Sequence, residues 1–139
     1  MEPITKEINF RMKANIFIVE DERLVVEDLK ERLINHGYNV IGTATSGKEA
    51  IEEIKVVSPD LIIMDVRIAG DLNGIEVAII VQSYFDHHIP IIFLTGFSQQ
   101  AFTYLKVLPD YIYINKPFQE TVLMEAVERA LEKNRKNRT

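Results

Sequence analysis

The sequence contains no cysteine. Disulfide frameworks, thiolate zinc sites, iron–sulfur clusters and cysteine nucleophiles are therefore excluded together, and the composition fits a reducing compartment. Positive charge is in deficit. Sixteen lysines and arginines face 21 aspartates and glutamates, a net charge of −5. A dedicated nucleic-acid binder needs a basic surface for phosphate contacts, so that class is not expected. The one basic cluster, residues 133–138, reads as the solvated end of a helix. Long apolar runs are missing too. The longest, residues 89–94, is six residues interrupted by Pro90, against about 20 needed to span a bilayer. Residues 1–13 lack the apolar segment of a signal peptide, so the expected location is the cytoplasm, without a membrane partner. There is no G-x-x-x-x-G-K-[ST] phosphate loop, which removes ATP as an expected direct donor, and no G-x-S-x-G serine elbow.

What is present is an alternation. The 139 residues, 47% hydrophobic and 27% charged, suit one globular domain. Ile16-Phe17-Ile18-Val19 is a β-branched run ended by acids, a buried strand. Residues 22–36 then place Leu24, Val25, Leu29, Leu33 and Ile34 on one helical stripe, stopped by Gly37. Residues 38–43 read as a second strand. Ser46 with Glu49 three residues on predicts a capping box opening a helix to about Val57, which Pro59 ends. Strands follow at 61–64, 91–94 and 111–114. Helices follow at about 75–84, at 98–107 and from 119 to about 133, the last with Leu123, Ala126, Val127 and Ala130 inward. Five strands and five helices in strict βα order predict a parallel sheet covered on both faces, an open doubly wound α/β domain. A barrel would need about 250 residues. Residues 1–12 are expected to form an N-terminal arm, 13–134 the domain, and 135–139 a basic C-terminal tail.

Ligands of such sheets bind outside the carboxyl ends of the strands, where the strand order reverses. Glu20 and Asp21 follow the first strand, Asp65 the third, Thr95 the fourth, and Asn115-Lys116-Pro117 the fifth. Each alone has an ordinary explanation as a turn former, a helix cap or a solvated charge. Jointly, three carboxylates, a hydroxyl and an ammonium converge on one rim. Carboxylates that close do not all stay ionised without a compensating cation. A hard ion with oxygen ligands, Mg²⁺ above all, would supply it. With a divalent cation and Lys116 the site is neutral and could accept a phosphoryl group, with a carboxylate as nucleophile.

These residues carry a family resemblance. Val19-Glu20-Asp21-Glu22, Asp60-Leu61-Ile62-Ile63-Met64-Asp65, the loop from Gly70 to Gly74, Leu94-Thr95-Gly96 and Asn115-Lys116-Pro117-Phe118 stand in one order along residues 14–133. Together they resemble the receiver domain of a two-component response regulator, the CheY-like (βα)5 fold, flavodoxin-like with strand order 2-1-3-4-5. The resemblance implies that Asp65 is the phosphoacceptor. Glu20, Asp21 and Asp65 would bind Mg²⁺ (or Mn²⁺) with the backbone carbonyl of Arg67. Thr95 and Lys116 would contact the phosphoryl oxygens, the bond before Pro117 would be cis, and Thr95 with Tyr113 would form the switch. It also implies a histidine kinase or phosphotransfer protein as donor, an output partner or a second copy of the chain as receiver of the signal, and a signalling switch rather than an enzyme. The stretch between strands four and five is short for the family, which predicts a truncated or distorted fourth helix. Arg67 and Phe97 are bulky at the variable positions two after Asp65 and Thr95.

Other readings compete. A haloacid-dehalogenase-type phosphatase needs an acid two residues after its nucleophile, where this chain has Arg67. A flavin-binding module needs a phosphate loop after the first strand, where Glu20 and Asp21 would repel it. A degenerate receiver serving only protein contacts would not need the full set of acids with Thr95 and Lys116. Asp71-Leu72-Asn73-Gly74 resembles part of a calcium loop, but its first and twelfth ligand positions would fall on Ala69 and Ile80. His87-His88 reads as a solvated helix end.

Overall fold

The computed structural model describes residues 14–96 and 110–138, with side chains to residue 134. The arm 1–12, Phe97 and the helix expected over 98–107 lie outside the described residues. Five strands, β1 (Asn15–Val19), β2 (Asn39–Ala44), β3 (Leu61–Asp65), β4 (Ile91–Thr95) and β5 (Ile112–Asn115), alternate with helices α1 (Arg23–Asn35), α2 (Gly47–Val57) and α3 (Gly74–Ser83). The last helix, α4 (Glu120–Arg138), follows β5 and runs five residues beyond the expected end near Lys133. All strand pairs are parallel, and the sheet order is β2-β1-β3-β4-β5. This is the doubly wound α/β architecture that the alternation predicts. Among the described residues no helix is long and apolar enough to cross a membrane.

The three central strands are apolar on both sides because each side has its own core. Ile16, Ile18, Leu61, Ile63, Ile92 and Leu94 pack with Val26, Leu29 and Leu33 of α1 and with Leu123, Val127 and Ala130 of α4. Phe17, Val19, Ile62, Met64, Ile91 and Phe93 pack with Ala50 and Ile54 of α2 and with Val77, Ala78 and Val81 of α3. Successive strand residues point to opposite faces, so one short run serves two cores. Each fully buried aliphatic or aromatic side chain contributes about 1.5–3 kcal/mol.

Four local readings are corrected. In α1 the inward stripe is Val26, Leu29 and Leu33, while Leu24 and Ile34 are 85% and 54% exposed. At 100° per residue Leu24 lies about 160° from Val26, so both cannot face the sheet. β2 begins and ends one residue later than expected, with a register shift opposite Ile16 and Phe17. In α2 Ser46 Oγ accepts from the Glu49 N–H at 3.3 Å, one half of the expected capping box. The complete box opens α3: Asn73 Oδ1 accepts from the Glu76 N–H at 2.9 Å, and Glu76 Oε1 accepts from the Asn73 N–H at 3.0 Å. After α3, His87 and His88 are not simply solvated, since their rings pack against Phe85 and Tyr111.

Candidate functional site

Parallel pairing puts the carboxyl ends of all five strands on one rim. The chain leaves β1 toward β2 on one side, and β3 starts the other half of the sheet, so the crevice opens between β1 and β3. The first residue past β1, Glu20, is held there by its backbone: its N–H donates to the Ala44 carbonyl at 3.0 Å, extending the β1–β2 ladder by one step. Its side chain is 0% exposed. Both carboxylate oxygens are bonded, Oε1 to the Glu22 N–H at 3.2 Å and Oε2 to Lys116 Nζ at 2.9 Å. Burial pushes its pKa up to about 7. Lys116 opposes that rise, and the neighbouring Asp65 adds to it.

Asp65 ends β3 and is 7% exposed. Its Oδ1 accepts from the Arg67 N–H at 2.8 Å, and its Oδ2 accepts from Lys116 Nζ. The turn beyond it fits against Gly74. A Cβ there would lie 2.3 Å from the carbonyl oxygen of Asp65, closer than any side chain tolerates, and the Gly74 N–H donates to the Val66 carbonyl at 2.8 Å. The α3 N-terminus thus seats directly on the backbone of Asp65, and only glycine permits it.

Oxygen atoms of Glu20, Asp21 and Asp65 all lie within 4.8 Å of one another. Asp21 is exposed at the mouth, while Glu20 and Asp65 form the floor. This donor set consists of hard carboxylate oxygens, partly open to water, and it fits Mg²⁺ or Mn²⁺ rather than a metal that prefers nitrogen or sulfur.

Lys116 is placed by β5. Its N–H donates to the Thr95 carbonyl at 2.7 Å, and the Lys116–Pro117 bond is cis. Its ammonium reaches across the mouth to Glu20 and Asp65, with Glu22 Oε1 farther off at 3.9 Å. Burial disfavours the charged lysine, but the hydrogen bonds and charges of Asp65 and Glu20 outweigh it, and the net pKa moves up.

The structure therefore brings Glu20, Asp21, Asp65 and Lys116 together. Thr95, 3% exposed, ends the neighbouring strand, but its hydroxyl donates to Asn115 Oδ1 at 2.9 Å, on the side away from the acids. Tyr113 stands two residues before the register partner of Thr95 and stacks on Phe93 with ring centres 5.3 Å apart. Burial, with Tyr111 beside it, pushes its pKa up to about 12. Arg67 is exposed and meets the site through its backbone. Asn115, Glu22 and Gly74 were visible in the sequence motifs but carried no assigned part. The signal for Gly74 was its place at the start of a helix, and for Asn115 its position beside Thr95 once strands four and five are paired.

Comparison with known proteins gives a consistent result. The profile of the response regulator receiver domain matches residues 16–128. The chain is 34% identical over 132 residues to the transcriptional regulatory protein PdtaR of Mycobacterium tuberculosis, covering 94% of this chain and 63% of PdtaR. The chain thus spans less than two thirds of that relative. It is 33% identical over 121 residues to the chemotaxis protein CheY of Thermotoga maritima, covering 85% of this chain and 98% of CheY. Among solved structures, the signal receiver domain of a modulated diguanylate cyclase from Desulfovibrio desulfuricans superposes with a TM-score of 0.81 at 29% identity, covering 90% and 98% of the two chains.

Proposed function

Because the chain belongs to the response regulator receiver domain family of two-component signalling, we propose that Asp65 is its phosphoacceptor and that residues 13–134 act as a phosphorylation-driven switch. A carboxylate oxygen of Asp65 attacks phosphorus, the bond from phosphorus to a donor histidine nitrogen breaks, and that nitrogen keeps the electron pair. The donor is a histidine kinase or a phosphotransfer protein. Glu20, Asp21, Asp65 and the backbone carbonyl of Arg67 would hold Mg²⁺ (or Mn²⁺), which when bound offsets negative charge on the transferring oxygens. Lys116 carries the second positive charge, already at the Asp65 carboxylate. As the phosphoryl group arrives it exchanges one carboxylate oxygen for a phosphoryl oxygen without moving far. Arg67 N–H fixes the other oxygen and so the plane of the nucleophile. Thr95 then turns from β5 to donate to the phosphoryl group, and Tyr113 relays the change to the output surface, which binds a partner or a second copy of the chain.

The observation that carries the proposal is the single cluster at the end of β3: a nearly buried aspartate bonded by one lysine and one backbone N–H, within 4.8 Å of two more acids. The test is incubation with acetyl phosphate and Mg²⁺. Wild type should gain one acid-labile phosphate, and Asp65→Asn should gain none. Equal labelling of the two proteins would overturn the assignment.

A further inference from the structure

The Thr95 hydroxyl has one proton to donate, and β5 receives it. Thr95 Oγ1 lies 2.9 Å from Asn115 Oδ1 and 3.5 Å from the Ile114 carbonyl oxygen. The parallel register sets Thr95 directly beside Asn115, and laterally paired residues project to one face of a sheet. Thr95 is buried, whereas Asn115 is exposed at the rim. A buried hydroxyl needs a partner, and the side chain that provides it is Asn115 rather than Asp65.

We infer that Asn115 is a positioning residue that holds Thr95 turned away from Asp65 in the resting domain, and that this bond sets how readily the domain passes to its phosphorylated form. The inference rests on the proposal above that Asp65 is the phosphoacceptor and Thr95 a phosphoryl contact. One O–H cannot donate to the Asn115 amide and to a phosphoryl oxygen at the same time, so the Thr95–Asn115 bond breaks whenever the phosphoryl contact forms. Asn115, at the rim, then turns to water. Asn115 is exposed, so a strand residue without an acceptor can occupy its place, and among the described residues it would leave Thr95 the longer bond to Ile114. A net hydrogen bond of ordinary strength shifts a two-state equilibrium about 2- to 10-fold. Losing it raises the fraction of molecules whose Thr95 is free to turn, and the apparent affinity for anything that binds the turned state rises in proportion.

The test uses beryllofluoride with saturating Mg²⁺ as a phosphoryl mimic, titrated into the full chain. Asn115→Val, which suits a strand, and Asn115→Ala, which removes the same acceptor with less bulk, should each bind about 2- to 10-fold more tightly than wild type. In a Thr95→Val background the same Asn115 changes should have no effect, because the bond is already gone. A purely structural role for Asn115 would act equally in both backgrounds. Unchanged or weaker binding by both variants in the wild-type background, or an equal change in both backgrounds, overturns the inference while leaving Asp65 as phosphoacceptor. Failure of wild type itself to bind the mimic overturns the phosphoacceptor assignment, and this inference with it.

Discussion

The Lys116 ammonium lies 2.9 Å from Oε2 of Glu20, a carboxylate with no solvent exposure. The lysine sits just past β5 and the glutamate just past β1, so the bond ties together the ends of strands that two others separate. Even with this partner, burial and the nearby Asp65 leave the Glu20 pKa at about 7, raised from 4.5.

That shift fixes the sign of a pH dependence. In the metal-free protein the folded state holds a proton on Glu20 that the unfolded chain has released, between pH 4.5 and 7. The associated stability is complete below the unfolded value and is lost as pH rises through the folded one. A loss of about 1–3 kcal/mol is expected over that window. Burial lowers the pKa of His88, and that acts with the opposite sign. The difference between wild type and Glu20→Gln isolates the glutamate. Urea denaturation in a chelator at pH 5, 6, 7 and 8 should show the stability of wild type falling relative to Glu20→Gln as pH rises, because the neutral amide does not ionise. A difference that does not change with pH would contradict the account.

A divalent cation at Glu20, Asp21 and Asp65 should oppose their mutual repulsion. Millimolar Mg²⁺ is expected to raise the melting temperature by mass action, and more at pH 8 than at pH 6, because the ion competes with the Glu20 proton. Asp21→Ala should abolish the response and can stabilise the metal-free form by relieving repulsion. Calorimetry or dye-based melting checks this, and a wild-type melting temperature indifferent to Mg²⁺ would contradict the metal site.

Gly74 offers a test of how the nucleophile is held. A Cβ 2.3 Å from the Asp65 carbonyl oxygen must push the Asp65 turn or the start of α3 aside. Gly74→Ala should therefore cost about 1–3 kcal/mol and slow phosphorylation out of proportion to its effect on folding. Asn73→Ala, which removes the neighbouring cap at a cost of about 1 kcal/mol, should leave the phosphorylation rate of the folded protein near wild type. Equal rates in the two variants would show that Gly74 does not position Asp65.

The link from Thr95 to Tyr113 is checked by comparing free and beryllofluoride-bound protein by NMR. Wild type should show large shifts around Tyr113. Thr95→Ala should show much smaller ones with the mimic still bound. Identical remote shifts in both proteins would remove Thr95 from the switch.

Much of this was legible before any coordinates. Short apolar runs rich in β-branched residues and bounded by turn residues read as strands with a core on each side, and their carboxyl ends put Glu20, Asp65, Thr95 and Lys116 on one rim. The less legible parts depend on phase and pairing. Five apolar residues over 24–34 compete for one stripe, and the angle that wins is set by docking on the sheet, which places Leu24 outside. The bounds of β2 and the register shift it carries opposite Ile16 and Phe17 are set by pairing with β1, which a single strand does not reveal. The capping box at Asn73 and Glu76 had its N-x-x-E pattern in plain view, but the helix start expected at Ile75 left the cap one residue away. The Asn115 bond to Thr95 spans 20 residues and exists only once β4 and β5 pair in register.

The most direct measurement locates the phosphoryl group itself. After phosphorylation with acetyl phosphate and Mg²⁺, borohydride reduces an aspartyl phosphate to homoserine, and peptide mass spectrometry identifies the residue converted. Homoserine at position 65, dependent on Mg²⁺ and reduced at least about tenfold in Lys116→Ala, is the expected result. Conversion at another acid, or a stable phosphate that borohydride leaves untouched, would contradict the assignment of Asp65.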